Sequence, residues 1–358
     1  MLMEMSRFVV SNTNMKMMEH VLESPKMIME GISKGRELCQ EFEIKRQGEG
    51  FKILWYGVGA SAIIGDYIDT YLANTPYAKK LSVNVRRTYA PRTGETGDLY
   101  VFYSYSGNTF EVVRAFKKVM ERNIRKGEIV VFASGGIMGD LAKKFGVMYV
   151  PLPGGYVSRS HVPFGIAIAT TLIASCLGIG SIVGDLQGAA KSLKAWMSDM
   201  VFDEENMKTL SYIAKKLSRK LVSIVVDDAL FVVAKRFVAQ FNENAKHFAS
   251  IFQIPEGCHN YIVGLRRVAK KFFIIMLRRR SEDEITKRYM DAVEDMLLGM
   301  DMFKLNVEDS GNFSWTTLLK PTLIADILSV LLADIKGEDC FDIEEIVRLK
   351  GRISEGET

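Results

Sequence analysis

The stretch DLYVFYSYSGNTFEVVRAFKKVMERNIRK, residues 98–126, contains a complete strand-to-helix transition. Its apolar run at 99–103 is short and nearly continuous, which is typical of a strand buried on both faces. From Phe110 onward, apolar residues recur at the spacing of a helix with one buried face. Between the two lies SYSGNT (104–109), whose small hydroxyl residues surround a glycine, as in a turn. The stretch therefore predicts a β-strand, a turn and an α-helix.

The same alternation of apolar strands and amphipathic helices continues along the chain. Further runs before residue 152 predict about five strands in all: FKILWYGVG (51–59), LSVNVRR (81–87), GEIVVFAS (127–134) and VMYVPL (147–152). The later strand predictions are KLVSIVVDD (220–228), KKFFIIMLR (270–278) and DMFKLNV (301–307), with one long helix at 229–249. Buried strands joined by helices predict an α/β fold with parallel, doubly wound sheets.

Three segments outside this alternation also lead to predictions. Residues 14–46 have the pattern of an amphipathic helix, and the charged stretch 198–208 is predicted to be a hinge between two α/β halves. Residues 162–184 carry no charge, and their length would allow a membrane span. Pro163 and the internal glycines favour instead a buried helix, packed between domains or across a subunit interface, so we expect no membrane partner.

Composition predicts a globular protein. A chain of 358 residues with 48% hydrophobic residues can bury the cores of two ordinary domains. The formal net charge is only +4, and the basic clusters at 266–271 and 278–280 precede acidic residues. We interpret these clusters as solvated faces and expect no nucleic-acid partner. The four cysteines are widely spaced without a CxxC pair, which predicts neither a zinc site nor disulfides and favours the cytoplasm.

Two predicted strand-to-helix turns combine glycine with hydroxyl side chains, GVGAS (57–61) and SYSGNT. In a parallel sheet such turns lie outside the carboxyl ends of the strands, where ligands bind. Glycine lets the backbone approach an anion, the helix N-terminus attracts it, and hydroxyl groups donate hydrogen bonds. Neither turn has the lysine of a nucleotide P-loop, and GVGAS lacks the third glycine of GxGxxG, so we predict a phosphate-monoester site. The alternative is that these residues only build turns and helix caps.

Three motifs carry a resemblance to a known family: SYSGNTFEV (104–112), QFNENAKHFA (240–249) and PEGCHN (255–260). They resemble the bifunctional phosphoglucose/phosphomannose isomerases of archaea and some bacteria, a branch of the phosphoglucose isomerase superfamily. The resemblance implies two doubly wound parallel-sheet sugar isomerase (SIS) domains, which are flavodoxin-like αβα sandwiches, after an N-terminal helical segment. The implied limits are 1–48 for the helical segment, 49–195 for the first, phosphate-binding domain and 205–358 for the second, catalytic domain.

The resemblance also implies roles for individual residues. Those that bind the substrate phosphate correspond to Ser61, Ser104, Ser106 and Thr109, together with Gly59 and Gly107. The catalytic residues correspond to Glu243, His259, Arg159 and Lys350. In this superfamily the histidine reaches the site from the neighbouring subunit, which implies a homodimer that donates His259 across its interface.

These residue types suit the conversion of a phosphorylated aldose to a ketose. A partly desolvated carboxylate such as Glu243 can move a proton between C2 and C1 through an enediol. Arg159 is always charged and can stabilise the enediol oxyanion. His259 can move a proton between O1 and the ring oxygen, whereas the role of Lys350 at that oxygen follows from the resemblance alone. We expect no metal or organic cofactor.

Each of these residues also has a plainer interpretation. Glu243 could belong to a solvated helix face, and His259 could be an exposed or capping side chain. Arg159 could pair with an acidic residue, and Lys350 could favour a helix C-terminus.

Three positions depart from the family pattern. VVDDAL (225–230) replaces a glycine-rich turn and introduces Asp227 and Asp228. Ser158 stands where the family has a proline before its arginine. Ile343 stands where the bifunctional enzymes have a threonine that is implicated in admitting the mannose epimer. The last departure makes glucose 6-phosphate the firmer substrate expectation.

We therefore predict an isomerase of glucose 6-phosphate and fructose 6-phosphate, with mannose 6-phosphate as a further candidate substrate. One alternative is an isomerase of a different phosphosugar, because the phosphate site would recognise only the phosphate. The other is a phosphosugar sensor without turnover. The joint presence of Glu243, His259 and Arg159 disfavours the sensor, because a sensor does not need a base.

Overall fold

The computed structural model describes residues 7–41, 50–122, 124–309 and 311–354. The described residues group into two units. One, called here the first unit, consists of residues 24–190 with 348–354; the second unit consists of residues 7–23 with 191–347.

Strands and helices alternate through most of the described chain. The strands are β1 (Phe51–Tyr56), β2 (Leu81–Arg86), β3 (Leu99–Tyr103), β4 (Ile129–Ala133), β5 (Met148–Pro151), β6 (Leu221–Val226), β7 (Ala249–Gln253), β8 (Phe272–Arg279) and β9 (Asp301–Val307). The α-helices are α1 (Asn12–Leu22), α2 (Ser24–Leu38), α3 (Ala60–Ala73), α4 (Phe110–Met120), α5 (Gly136–Phe145), α6 (Val162–Cys176), α7 (Ser181–Phe202), α8 (Glu204–Leu217), α9 (Phe231–Ala245), α10 (Tyr261–Arg267), α11 (Glu284–Met296), α12 (Trp315–Lys336) and α13 (Glu344–Ser354).

The first unit contains a parallel sheet with the strand order β2-β1-β3-β4-β5. All residues of β3 and β4 are buried, as their continuous apolar runs predicted. The five predicted strands and the α/β fold are confirmed. The direction of winding reverses between β1 and β3, so the turns that follow these two strands flank the topological switch point of the sheet.

The second unit contains a parallel sheet with the order β7-β6-β8-β9, which repeats the winding of the first sheet with one strand fewer. Strand β7 was not predicted: the helix predicted at 229–249 included its first residue, and residues 250–253 were assigned to no element. That helix, α9, ends at Ala245, and Lys246 adopts a left-handed backbone with φ +45°. A five-residue strand is too short for its apolar pattern to separate it from a helix end.

Two further predictions, one of a hinge and one of a helix, also need correction. The stretch 198–208, predicted to be a hinge, is the end of α7 and the start of α8, separated only at Asp203. The Asp203 carboxylate accepts a hydrogen bond of 2.9 Å from the Glu205 amide and so caps α8. The helix predicted at 14–46 is divided between α1 and α2, and its residues 42–46 lie outside the described part of the chain.

The uncharged segment 162–184 forms α6 and the first turn of α7. Helix α6 packs closely on α2 in the same unit: a Cβ atom at Gly31 would lie 2.7 Å from the Cβ of Ala167, and one at Gly35 would lie 2.7 Å from the Cβ of Thr171. Glycine permits this close approach because it has no side chain. Among the described residues, none of the helices has both the length and the apolar character needed to cross a bilayer.

Candidate functional site

The turns after β1 and β3 are joined at the carboxyl edge of the first sheet. The Tyr105 amide donates a hydrogen bond of 3.4 Å to Ser61 Oγ, and Ser61 is 5% exposed. Gly59 precedes α3 with φ +57°, and Thr109 precedes α4. Two helix N-termini therefore begin beside the switch point, where backbone amides and the helix dipoles favour an anion.

Within SYSGNT, the hydroxyl residues face different environments. Ser104 is fully buried; its Oγ donates to Thr109 Oγ1 over 2.9 Å and accepts from the Thr109 amide over 3.4 Å. The Gly107 amide donates to the Ser104 carbonyl over 2.9 Å, which closes the turn. Ser106 is exposed, and its Oγ accepts a bond of 3.3 Å from the Asn108 amide. Ser104 thus stabilises the turn, and Ser106 presents a hydroxyl to solvent.

A third turn, SGG (134–136), supports SYSGNT and was not identified as part of the site from the sequence. A Cβ atom at Gly107, where φ is +71°, would lie 1.8 Å from the Gly135 carbonyl oxygen. The Asn108 side-chain oxygen accepts from the Ile137 amide over 3.0 Å, and the Gly107 carbonyl accepts from the Met138 amide over 2.9 Å. The sequence signal was present, because serine and glycines here also follow a buried strand.

Arg159 is 3% exposed and lies in the segment 152–161 between β5 and α6. This segment is attached to SYSGNT through Tyr105, whose hydroxyl donates to the Pro153 carbonyl over 2.9 Å and accepts from the Tyr156 amide over 3.2 Å. The ring of Tyr105 also lies 4.9 Å from the ring of His161. Arg159 is therefore located between two contacts with the SYSGNT turn.

His161 is a further buried residue that the sequence analysis did not select. It is 1% exposed, and its ring packs against Tyr105, Tyr156 and Phe164, with centroid distances of 4.9, 5.6 and 4.6 Å. In the described residues neither ring nitrogen has a hydrogen-bond partner. Burial lowers the pKa of His161 to about 4, so the ring is neutral at pH 7.

Glu243 belongs to the second unit and lies, partly buried, in the last turn of α9. The backbone around it is held by two ammonium groups. Lys246 Nζ donates to the Glu243 carbonyl over 3.2 Å, and Lys336 Nζ donates to the carbonyls of Ala245 and Lys246 over 2.6 and 2.9 Å. Cations satisfy the carbonyl groups that a helix C-terminus leaves unpaired.

A buried polar network fixes the register of the Glu243 helix against α12. Arg236 binds both carboxylate oxygens of Asp326 over 2.8 and 2.9 Å, and Gln240 donates to the same carboxylate over 2.9 Å. One turn later, the Asn244 side chain donates to Ser329 Oγ over 2.8 Å. Buried ionic and polar groups are costly to leave without partners, and these pairs form in only one alignment of the two helices. The network therefore fixes the position of α9 along α12.

The other two proposed catalytic residues are exposed. His259 ends a short turn at Glu256–His259 in the second unit. Lys350 lies on α13 among the residues that group with the first unit. Across the described ranges, no three side chains of His, Cys, Asp and Glu come together as they would around a metal ion.

Within the unusual VVDDAL turn, the buried Asp227 pairs with a cation of its own unit. Asp227 is 6% exposed; it caps the following turn by accepting from the Leu230 amide over 3.0 Å and pairs with Arg279 over 3.0 Å. Burial raises the pKa of Asp227, and the Arg279 guanidinium opposes that shift. At the switch point of the second sheet, between β6 and β8, an ion pair therefore occupies the position that the turns of the first sheet leave to hydroxyl groups.

Comparisons with known proteins agree with these features. Residues 207–353 match a family model described as the bacterial phospho-glucose isomerase C-terminal SIS domain. The bifunctional phosphoglucose/phosphomannose isomerase of Aeropyrum pernix is 27% identical over 315 residues, which cover 86% of this chain and 90% of that protein. The enzyme of the same name from Aquifex aeolicus is 25% identical over 83% of this chain and 89% of its own length. The resemblance predicted from the three motifs is confirmed.

A different relative and two solved structures complete the comparison. A D-glucosamine-6-phosphate 4-epimerase of Sulfolobus acidocaldarius is 27% identical over 67% of this chain and 73% of its own length. A hypothetical protein of Thermus thermophilus superposes with a TM-score of 0.68 at 15% identity, covering 94% of this chain and 90% of its own. The C-terminal domain of a glucosamine-fructose-6-phosphate aminotransferase of Francisella tularensis gives 0.66 at 16% identity, covering 90% and 97%. At this identity the two structures support the predicted fold alone.

Proposed function

We propose that this chain, a relative of the bifunctional phosphoglucose/phosphomannose isomerases, interconverts glucose 6-phosphate and fructose 6-phosphate and also accepts mannose 6-phosphate. One observation carries the proposal. The hydroxyl-rich turns after β1 and β3 are hydrogen-bonded to each other at the switch point of the first sheet, in a chain that also contains the NENAK and PEGCHN motifs.

The first unit would bind the substrate phosphate. Ser106 offers an exposed hydroxyl, and the N-termini of α3 and α4 offer backbone amides beside Gly59 and Thr109. Ser61 and Ser104 are already hydrogen-bonded within the turns, so they would shape the site and could exchange those bonds for bonds to phosphate. Neutral donors of this kind suit a phosphate monoester.

The chemistry would follow the residue roles that the family resemblance implies. Glu243 would move the proton between C2 and C1, and the Arg159 guanidinium would stabilise the oxyanion of the enediol. His259 would transfer a proton between O1 and the ring oxygen, with Lys350 at that oxygen. A proton leaves C2 and a proton, the same one or one from solvent, arrives at C1. Because C2 is oxidised while C1 is reduced in the same molecule, the isomerisation needs no external oxidant or reductant.

We also propose a homodimer in which His259 serves the neighbouring subunit, and a location in the cytoplasm. The exposure of His259 supports the first of these, because an exposed side chain can be donated to a partner. Sedimentation analysis gives the oligomeric state. Mixing an inactive Glu243→Gln variant with an inactive His259→Ala variant tests the donation, since mixed dimers would regain one complete site of the two.

A second candidate function is 4-epimerisation of an amino-sugar phosphate. The observation that favours it is the similarity to the Sulfolobus acidocaldarius relative, which bears that name. Two departures of this chain from the isomerase pattern, Ser158 and Ile343, are compatible with a sugar other than glucose.

Purified protein offered each sugar phosphate separately would distinguish the two functions. In D2O, isomerisation through an enediol exchanges the hydrogen that leaves C2 of glucose 6-phosphate with solvent, which NMR detects. We expect fructose 6-phosphate with deuterium at C1. Turnover of glucosamine 6-phosphate to its C4 epimer, without turnover of glucose 6-phosphate or mannose 6-phosphate, would replace the first proposal by the second. Binding without turnover of any of the three would indicate a sensor.

A further inference from the structure

Tyr105 makes hydrogen bonds to three loops at the carboxyl edge of the first sheet. Its amide donates to Ser61 Oγ in the turn after β1. Its carbonyl oxygen accepts from both the amide and the hydroxyl of Ser134 after β4, over 2.9 and 2.7 Å. Its phenol hydroxyl donates to the Pro153 carbonyl and accepts from the Tyr156 amide after β5. One residue thus connects the carboxyl ends of four strands.

The side chain of Tyr105 makes its hydrogen bonds and a ring contact with the segment that contains Arg159. It is 9% exposed, and beyond the two hydrogen bonds its ring packs on the ring of His161. The ring of His161 also packs on the ring of Tyr156, so residues on both sides of Arg159 in the sequence belong to one aromatic cluster with Tyr105. Arg159 is two residues from His161, so their Cα atoms are at most about 7.6 Å apart.

We propose that Tyr105 is a positioning residue for Arg159, linking the guanidinium to the turn that binds the phosphate. The backbone of Tyr105 belongs to the phosphate turn, whereas its phenol holds residues 153–161. A group that stabilises a developing charge loses most of its effect when it is displaced by about 1 Å. The phenol hydroxyl is not one of the proposed phosphate donors. Removal of this hydroxyl should therefore disturb the position of Arg159 without weakening the binding of the phosphate.

The assignment of Arg159 to the reaction rests on the proposed function, whereas the attachment of residues 153–161 to Tyr105 does not. The experiment therefore needs one readout of turnover and one that is independent of turnover. Tyr105→Phe removes only the phenol hydroxyl. Tyr149→Phe is the matched control, because the Tyr149 hydroxyl also donates to a backbone carbonyl, but to that of Ala133 over 3.0 Å and not to one of residues 153–161.

For turnover, we expect Tyr105→Phe to lower kcat on glucose 6-phosphate by about 10- to 100-fold, with KM changed less than about twofold. Tyr149→Phe should change neither. An increase in KM at unchanged kcat would overturn the proposal, because Tyr105 would then serve phosphate binding. Unchanged kcat and KM in Tyr105→Phe would also overturn the proposal.

A double-mutant cycle separates positioning of Arg159 from general disruption. If Tyr105 acts through Arg159, the effect of Tyr105→Phe on kcat should shrink to less than about twofold when Arg159 is already replaced by lysine. Equal effects in the wild-type and Arg159→Lys backgrounds would show that the tyrosine acts elsewhere.

The second readout is amide hydrogen exchange measured by mass spectrometry. Tyr105→Phe should accelerate exchange in peptides that cover 153–161 by about tenfold, and Tyr149→Phe should not, because only the former removes the partner of the Tyr156 amide. Unchanged exchange would overturn the proposal. If the chain turns over none of the sugar phosphates, the proposed function fails while this result still stands.

Exchange in the wild-type protein keeps the test decisive if Tyr105→Phe does not fold. The Tyr156 amide should exchange more slowly than the amides of Gly154 and Gly155, which are exposed and precede it. Equally fast exchange at all three would contradict the attachment.

Discussion

The Tyr105 amide and the Ser61 hydroxyl, 44 residues apart in the chain, are joined by a hydrogen bond of 3.4 Å. This bond connects the two turns that flank the switch point of the first sheet. Because all strands of the sheet are parallel, their carboxyl ends share one edge, and a turn of small residues after each strand can meet its neighbour there. The relationship converts two separate sequence motifs into one candidate phosphate site.

Replacement of Glu243 tests the proposed base. Glu243→Gln should lower kcat on glucose 6-phosphate by at least about 1000-fold, because an amide cannot accept the C2 proton. The dissociation constant for the sugar phosphate, measured by calorimetry, should stay within about threefold. Glu205→Gln, at an exposed glutamate of the same unit, is the control. Substantial activity in Glu243→Gln would place the base elsewhere.

Removal of the exposed hydroxyl at Ser106 tests phosphate binding. If Ser106 binds the phosphate as proposed, Ser106→Ala loses a charge-assisted hydrogen bond worth about 1.5 to 3 kcal/mol, and KM should rise by about 10- to 150-fold. Ser82→Ala, at an exposed serine of β2, should leave KM unchanged. An unchanged KM in Ser106→Ala would mean that the phosphate lies outside the SYSGNT turn.

The contact between Gly107 and Gly135 can be separated from backbone strain. Gly107 and Gly94 have nearly the same φ, +71° and +72°, but a Cβ atom at Gly94 meets no atom within 4 Å. Alanine at either site should cost about 1 to 2 kcal/mol of unfolding free energy for its left-handed backbone. Gly107→Ala should cost about 1 to 3 kcal/mol more, because its methyl group displaces the SGG turn. Equal losses in urea unfolding would show that the two turns separate freely.

The Asp227–Arg279 pair predicts a dependence of stability on pH. Burial raises the pKa of Asp227, so between the unfolded and folded pKa values the folded state binds more protons, and stability falls as pH rises. Arg279→Ala removes the opposing cation and should cost about 3 to 5 kcal/mol at pH 7. The loss should be smaller at pH 4, and Asp227→Asn in the same background should recover most of it. Equal losses at both pH values would contradict this account.

His161 predicts the opposite pH dependence. Its pKa falls from 6.5 to about 4, so the unfolded chain binds more protons between these values. The stability contributed by the buried neutral ring is present above pH 6.5 and is lost as pH falls toward 4. The loss attributable to His161 should be about 2 kcal/mol at pH 5. In His161→Phe, the decrease in unfolding free energy from pH 7 to pH 5 should shrink by that amount; an unchanged decrease would show that the ring accepts a proton while folded.

Sequence reasoning succeeded where structure depends on neighbours along the chain. Apolar runs of five or six residues ending in glycine and serine predicted β1 and β3, because a strand buried on both faces needs a continuous apolar run. It failed at β7, where only three residues separate a helix from a five-residue strand, and at 198–208, where charged helical faces resembled a linker. In both places the local pattern fits two structures, and packing selects one.

The sequence by itself determined the α/β class, the parallel strands of the first unit and the hydroxyl-rich turns at their ends, because periodicity and turn chemistry are local properties. Only the tertiary structure decided which turns touch: Gly107 against Gly135, Tyr105 against the Arg159 segment, and Asp227 against Arg279. These contacts depend on strand order and register. Both are set by the packing of whole sheets and helices, for which no single stretch of sequence carries the information.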